Sequence, residues 1–248
     1  MPLTRNAALV GGVAVWVLVV LGLDTGASLP QQRLLGLLTW GCLLLALHGE
    51  SRATRVQVGV VVAYATVIEY VFAGWLGVYV YRLENVPAFV PPGHGLIYLA
   101  AFAAGRSAWA HRHSRPFLWV TLALGGCWAL WGITLSDRPD ALGAFWFGCL
   151  LLFVWKGRSP LLYAGAFVVV SYLEVVGTSL GTWEWQPYDI TGLISIGNPP
   201  SGIAGGYAFF DAAALYLTPR LLRWWDARQN QSGEVSSVVR SRDSSSAN

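Results

Sequence analysis

Long apolar stretches joined by short polar segments make up most of this 248-residue chain. Eight stretches can be marked, at residues 7–23, 34–49, 57–81, 92–110, 117–135, 141–156, 160–182 and 200–222. An α-helix needs about 20 apolar residues to cross a bilayer, so the pattern predicts an all-α, polytopic membrane bundle of about eight transmembrane helices. Two of the stretches contain only 16 residues, which leaves seven spans as an alternative.

The composition agrees with this prediction. The chain is 55% hydrophobic and only 12% charged, whereas soluble domains carry about 25% charged residues. The three cysteines lie inside apolar stretches and form no Cys-x-x-Cys pair. This number and spacing argue against a disulfide framework or a zinc site, so we expect Cys42, Cys127 and Cys149 to be small packing residues.

The basic residues predict the orientation of the bundle. With the N-terminus in the cytoplasm, the cytoplasmic segments hold Arg5, Arg52, Arg55, Arg106, Arg112, Arg115, Lys156, Arg158, Arg220, Arg223 and Arg228. The opposite segments hold only Arg33, Arg82 and Arg138. This asymmetry follows the positive-inside rule and predicts a multi-pass cell-membrane protein with both termini cytoplasmic. The first stretch lacks a clear small-residue cleavage site after it, which predicts an uncleaved anchor.

The two halves of the chain contain four similar blocks in the same order, about 105 residues apart. The blocks are GCLLLALHG and GCLLLFVWKG, TVIE and SYLE, GVYVY and GTWEW, and PPGHGLIYLAAF and PPSGIAGGYAFF. We therefore predict two four-helix repeats, at residues 1–114 and 115–228. Because four spans are an even number, the copies are parallel and related by a pseudo-twofold axis along the membrane normal. Residues 229–248 are rich in Ser, Gln and Asn and predict a disordered cytoplasmic tail.

Two glutamates occupy matching positions inside apolar stretches of the two halves. A carboxylate is costly in hydrocarbon and usually lines a polar cavity, so we expect Glu69 and Glu174 to face one pocket in the outer half of the bilayer. Thr66 and Ser171 lie three residues earlier on the same helix faces, from which their hydroxyls can reach the carboxylates. Asp211 lies near the membrane midplane, within reach of the same pocket. The three acids are the predicted catalytic residues.

Aromatic pairs follow both glutamate stretches. Tyr79 and Tyr81 in the first half correspond to Trp183 and Trp185 in the second. They fit either an interfacial aromatic belt or the wall of a site for an apolar or cationic substrate. In the second interpretation they belong to the substrate-binding set, together with Thr66 and Ser171.

Two polar residues near the proline pairs complete this set. His94 follows Pro91 and Pro92 and can titrate near neutrality, although a lone histidine at a membrane boundary also fits a structural role. Asn198 directly precedes the second proline pair. The chain has no Walker loop, HExxH, GxSxG or CxxC motif, so we expect no metal, no organic cofactor and no nucleic-acid partner. The expected partner is a lipid or isoprenoid small molecule in the membrane, and the oligomeric state stays open.

The pattern of a buried Glu, glycines and a Gly-x-aromatic-x-aromatic motif resembles the carotenoid-biosynthesis membrane proteins. These include bisanhydrobacterioruberin hydratases and lycopene-cyclase-type integral membrane enzymes. The matching residues are Glu69, Gly74, Gly77, Tyr79 and Tyr81, and again Glu174, Gly177, Gly181, Trp183 and Trp185. The segment PPSGIAGGYAFFD is similar to a proline-acid-aromatic segment of the cyclases, with Ser201 and Gly202 in place of that family's paired acids. TVIEYVF and the late Asp211 also resemble small membrane-embedded terpene cyclases. The resemblance implies cyclisation or hydration of an isoprenoid.

Three functions stay open at the level of sequence. In the first, a protonated acid in a low-dielectric cavity protonates a carbon–carbon double bond, and aromatic faces shield the carbocation. A second carboxylate then removes a proton or activates water; Glu69 and Asp211 are the preferred pair, with Glu174 as third participant. The second function is a proton- or cation-coupled transporter, which helices broken near the acids would favour. The third is a non-catalytic subunit whose glutamates fix helix register by hydrogen bonds.

Overall fold

The computed structural model describes the backbone of residues 4–245 and the side chains of residues 4–229. This part of the chain is mostly helical, as predicted. Its helices are α1 (Arg5–Asp24), α2 (Leu29–Leu47), α3 (Arg52–Glu69), α4 (Val90–Gly105), α5 (Ala108–Arg112), α6 (Ser114–Thr134), α7 (Ala141–Lys156), α8 (Pro160–Ser179) and α9 (Tyr207–Ser245). Helix α9 extends into the predicted tail, but side chains beyond residue 229 lie outside the described part, so disorder at 229–248 stays a prediction.

Four helices have the length and apolar composition needed to cross a membrane. They are α1, α6, α8, and α3 taken together with its continuation to Trp75, while α7 is apolar but shorter. Large apolar side chains such as Leu37, Leu124 and Trp155 are exposed on the helix surfaces. Exposed apolar surface of this kind is typical of a face that contacts a membrane.

The sequence explains where several helices begin. The side chains of Thr4, Ser51 and Asp140 accept hydrogen bonds from backbone N–H groups in the first turns of α1, α3 and α7, as helix caps do. Ser28 and Gln31 form a capping box at the start of α2. Helices α2, α4 and α8 carry proline in the first turn, where the missing N–H removes no intrahelical bond.

Helices α3 and α8 both lead into glycine turns. After α3 the chain forms a π-helical turn (Tyr70–Trp75) and then reverses at Gly77, whose φ is +60°. After α8 it reverses at Gly181, whose φ is +68°. Glycine adopts this left-handed conformation without a Cβ clash, so it fits both turns. The predicted helical stretch 57–81 is therefore too long at its C-terminal end.

A two-stranded antiparallel ribbon follows these turns and departs from the predicted all-α class. Strands β1 (Tyr79–Tyr81) and β2 (Trp183–Trp185) pair with Tyr79 opposite Trp185 and Tyr81 opposite Trp183. Alternate residues of a strand point to opposite faces, and the four aromatic side chains are the buried ones. The sequence did not predict the ribbon because a three-residue strand is too short for a periodicity signal.

Helix α4 forms the centre of the bundle. Most of its residues are buried, and residues 96–101 are almost fully so, as expected for a helix that is apolar on all sides. It packs most extensively against α8, while α3 packs most extensively against α9. Small residues permit close contact: a Cβ on Gly165 would lie 3.0 Å from the carbonyl oxygen of Ala101. The buried aromatic side chains of the ribbon belong to the same core.

Candidate functional site

A cavity of about 210 Å³ lies against the inner face of the ribbon, between α1, α3, α4, α8 and α9. Its wall is mostly apolar and aromatic, with contributions from Trp16, Tyr64, Phe72, Trp146, Tyr207 and Phe210. The ionisable groups in this wall, apart from tyrosines, are Glu69, His94 and Glu174. An apolar pocket with a few converging polar groups is the usual form of a small-molecule site.

Glu69 is the last residue of α3 and is only 7% exposed. Its Oε2 accepts hydrogen bonds from the hydroxyls of Tyr79 and Tyr81, at 2.7 Å and 2.8 Å. Its Oε1 lies 2.8 Å from Nε2 of His94. An ionised carboxylate is an acceptor only, so three converging donors satisfy Glu69 as an anion without a metal or a second charge.

His94 lies near the start of α4 and stacks on Tyr207, with ring centroids 5.5 Å apart. Its Nδ1 is buried and has no hydrogen-bond partner within the described part of the chain. The short contact of Nε2 with Glu69 fits a ring whose Nε2 carries a proton and donates it to that carboxylate.

Glu174 lies within α8 and is 5% exposed. Its Oε2 accepts hydrogen bonds from the indole Nε1 atoms of Trp183 and Trp185, both at 3.1 Å. Its Oε1 receives no hydrogen bond from residues 4–229, and the side chain lines the cavity. This oxygen is thus free to carry a proton or to bind a donor from a ligand.

The two acid sites share one plan but differ in their donors. In each, a glutamate is held through one oxygen by two aromatic side chains of the strand that follows its helix. Tyrosine hydroxyls both donate and accept hydrogen bonds, whereas an indole N–H only donates. The tyrosine pair at Glu69 can therefore pass protons, while the tryptophan pair at Glu174 only fixes the carboxyl group in place.

Further contacts fix the position of β2. Arg138 donates from Nε to the carbonyl of Ile196 at 2.7 Å and from Nη2 to the carbonyl of Trp185 at 2.5 Å. Asn198 accepts the backbone N–H of Trp185 through Oδ1 at 3.1 Å. Gly177 faces the ring of Trp183 so closely that a Cβ would overlap it. These contacts orient the indoles that bind Glu174.

Four predicted site residues have other surroundings than expected. The Thr66 hydroxyl donates to the carbonyl of Val62 at 2.6 Å, because the carbonyl one turn back is its nearest acceptor in a helix. The Ser171 hydroxyl is buried without a hydrogen-bond partner among the described residues. Asn198 binds the backbone of β2 and does not line the cavity. Asp211 is buried on α9 but is also absent from the cavity wall.

Tyr207 is a cavity residue that the sequence did not indicate. This residue begins α9, lines the cavity and stacks on His94. It belongs to one of the repeated blocks, but only its stacking on His94 and its place in the cavity wall show that its ring lies near the acids.

Within residues 4–229, no three His, Cys, Asp or Glu side chains lie close enough together to hold a metal ion. No protein-family model, curated protein or solved structure matches the chain.

Proposed function

We propose that this chain is a cell-membrane protein that carries out acid–base chemistry on an isoprenoid or a related lipid inside the membrane. In this proposal the bundle crosses the membrane eight times, with both termini in the cytoplasm and the ribbon at the outer side. The halves 1–114 and 115–228 are parallel repeats. The observation that carries the proposal is the pair of buried glutamates in one aromatic cavity, each with different hydrogen-bond donors.

The packing of the helices supports the proposed repeat. A twofold axis through the ribbon would exchange β1 with β2, α3 with α8, and α4 with α9. Such an axis converts the contact of α4 with α8 into that of α9 with α3, and these are the two most extensive helix contacts of the described part. It also matches the register of the ribbon, in which each strand's first residue faces the other's last.

The proposed reaction begins at Glu174. Its free Oε1 carries a proton and donates it to a carbon–carbon double bond of the substrate, so the O–H bond breaks as a C–H bond forms. The aromatic wall contacts the resulting carbocation, since ring faces attract cations. Removal of water from the cavity also protects the cation from premature capture.

Glu69 completes the proposed reaction. As an anion facing the same cavity, it either removes a proton from the carbocation, which gives cyclisation, or takes a proton from water that adds to the cation, which gives hydration. Tyr79, Tyr81 and His94 hold its carboxylate in place. This assignment pairs Glu69 with Glu174, and it removes Asp211 from direct contact with substrate because Asp211 does not line the cavity.

The size and the lining of the cavity favour one end of a long apolar substrate. About 210 Å³ is less than the roughly 300–1,000 Å³ typical of pockets that enclose a drug-sized ligand. We infer that the reacting end of an isoprenoid enters the cavity while the rest of its chain stays among the lipids. The resemblance to carotenoid-biosynthesis enzymes supports the same substrate class.

The proposal is tested by expressing Glu69→Gln and Glu174→Gln in a host that makes linear isoprenoids and extracting the membrane lipids. We expect each variant to lose cyclised or hydrated product by at least roughly 100-fold, the lower range for a positioned acid or base. Glu184→Gln is the matched control, because Glu184 is on the exposed face of the ribbon. The proposed reaction is wrong if the wild type converts the linear isoprenoids and both cavity variants form the same products in the same amounts.

Transport is the second candidate, and one observation favours it. The chain changes from α-helix to a π-helical turn immediately after Glu69, and irregular helices beside an acid are common at transporter and other functional sites. Proton uptake driven by a solute gradient in proteoliposomes would support transport. Loss of that uptake in Glu69→Gln, with unchanged lipids in the expression host, would favour transport over chemistry.

A further inference from the structure

A groove lies at the end of the bundle away from the ribbon, between the last turn of α7, the first turn of α8 and the second and third turns of α9. Its volume is about 370 Å³, within the range of pockets that bind small molecules. Its wall is apolar and aromatic apart from one arginine, and includes Phe153, Arg158, Tyr163, Ala212, Leu215 and Tyr216. The groove is separate from the acid–base cavity, because no residue lines both.

Two arginines lie at this groove. Arg158, in the connection between α7 and α8, is part of its wall. The guanidinium carbon of Arg220 lies 3.5 Å from the ring centroid of Tyr216, another wall residue, and Arg220 also donates to the carbonyl of Tyr216 at 2.8 Å. Neither arginine has a carboxylate within ion-pair distance among residues 4–229. The groove therefore combines an apolar wall with positive charge that no described acid neutralises.

The matching position in the first half of the chain holds an anion. The segments GES (49–51) and GRS (157–159) occupy the same place in the two halves, between the repeated GCLLL stretch and the next helix. In the first segment the carboxylate of Glu50 receives two hydrogen bonds from Arg106. In the second segment Arg158 replaces this glutamate, and no carboxylate of residues 4–229 pairs with it. An anion that balances the second site must come from outside this part of the chain.

We propose that the groove binds one anionic phospholipid from the membrane leaflet at this end of the bundle. Its phosphate group binds Arg158 and Arg220, and an acyl chain packs against Phe153, Leu215 and Tyr216. Arginine forms bidentate, charge-assisted hydrogen bonds with phosphate oxygens. A lipid also buries hydrocarbon against the apolar wall, which a water-soluble anion cannot do. Basic pockets between transmembrane helices bind anionic headgroups in this way. The proposal requires the bundle to lie in a membrane and does not depend on the reaction proposed for the cavity.

Native mass spectrometry of the purified full-length chain tests this proposal, with phosphatidylglycerol and phosphatidylcholine titrated separately. We expect one phosphatidylglycerol to bind per chain, more tightly than phosphatidylcholine. Arg158→Gln and Arg220→Gln should each raise the Kd for phosphatidylglycerol by roughly fivefold, the effect of removing one basic residue from an anionic lipid surface. Arg158→Lys should keep most of the affinity, because it keeps the charge.

The controls separate the groove from the general positive charge of this end of the bundle. Arg115→Gln removes an exposed arginine in the first turn of α6 that is not part of the groove wall, so its Kd should equal that of the wild type. Ala212→Phe fills the groove and should weaken the binding of both lipids. Glycerophosphoglycerol, the headgroup without acyl chains, should not displace the bound lipid.

The proposal is overturned if the wild type binds both lipids equally, if glycerophosphoglycerol displaces the lipid, or if Arg115→Gln weakens binding as much as Arg158→Gln. A dimer that Ala212→Phe dissociates into monomers would also overturn it, because a second copy of the chain then fills the groove. These measurements use no isoprenoid substrate. They can fail while the lipid analysis of Glu69→Gln succeeds, so the two proposals are tested separately.

Discussion

Glu69 and Glu174 are the same residue type in matching positions, and their neighbours make them chemically different. Three donors converge on Glu69, two of them phenols. Glu174 receives two indole N–H groups on one oxygen and none on the other. Because hydrogen bonds to an anion stabilise its charged form, the first arrangement suits a proton acceptor. The free oxygen of the second suits a proton donor.

Gly177 is the residue that gives the Trp183 indole its space. A Cβ at this position would overlap the ring, so Gly177→Ala must displace Trp183 and break its bond to Glu174. We expect a loss of about 1–3 kcal/mol in the free energy of unfolding, as in overpacked cores. Thermal unfolding of the purified protein in detergent measures this loss.

Gly59→Ala is the control for that substitution. It lies in α3, where no atom lies within 4 Å of the added methyl group, so its melting temperature should match or slightly exceed that of the wild type. Equal melting temperatures for Gly177→Ala and the wild type would show that Trp183 has room to move and that the contact does not fix the site.

The segments that connect the helices also help to hold the structure around the site together. Asp140 caps α7 through the N–H of Gly143 at 2.9 Å and also binds the loop before α9. In that loop it accepts the N–H of Gly197 at 2.9 Å, and both the N–H and the hydroxyl of Ser201 at 2.6 Å and 2.7 Å. One buried carboxylate therefore joins α7 to the segment between β2 and α9.

Asp140→Asn is expected to destabilise the chain more than any exposed carboxyl-to-amide change. An amide replaces one accepting oxygen with an NH₂ group that faces N–H donors, and a hydrogen bond to a charged group contributes about 1.5–3 kcal/mol. We expect the free energy of unfolding, measured in denaturant, to fall by at least about 2 kcal/mol. Asp137→Asn, three residues earlier and exposed, should stay at the wild-type value; similar losses for both would contradict the capping role.

The end of the bundle away from the ribbon is held together by a charged cluster that joins three parts of the chain. Glu50, between α2 and α3, receives two hydrogen bonds from Arg106 after α4, at 2.7 Å and 2.8 Å. Arg5 lies 3.2 Å from the same carboxylate, and Arg106 also donates to Asn6. The hydrogen bonds from Arg106 are the largest influence that lowers the pKa of Glu50 below its ordinary value.

This lowered pKa predicts how stability depends on pH. A carboxyl group whose pKa is lower in the folded state stabilises the fold above its unfolded pKa, about 4.3 for Glu, and that stabilisation is lost as the pH falls through the folded pKa. We expect the melting temperature to drop as the pH is lowered below about 4. Glu50→Gln should have a lower melting temperature than the wild type at neutral pH. Its melting temperature should also fall less steeply as the pH is lowered below about 4.

Asp226→Asn serves as the comparison for the pH experiment. Its ion pair with Arg52 is half-exposed, and exposed pairs contribute little, so this variant should keep the wild-type pH curve. If the melting temperature of Glu50→Gln falls at low pH as steeply as that of the wild type, other carboxyl groups control acid unfolding. The Glu50 cluster then does not hold the helix ends together.

The apolar pattern by itself determined the helical class and the approximate position of the main helices. It did so because a helix that faces either lipid or a buried core needs a long apolar run, whichever helices pack against it. Glycine at the two reversals and proline in the first turns of helices follow backbone restrictions that are local. The expectation that Glu69 and Glu174 face one cavity also came from sequence, because a carboxylate in an apolar run is costly in any fold, and both residues line the cavity.

Tertiary structure alone decided which side chains meet. The ribbon joins strands more than 100 residues apart, and no local signal encodes that pairing. Thr66 and Ser171 were predicted from their spacing to the glutamates, and Asp211 from its depth in the last span. The cavity is built from the facing surfaces of several helices, so Tyr207 lines it and these three do not. The partners of each acid depend on long-range packing, and the sequence therefore indicated the acids without indicating how each is held.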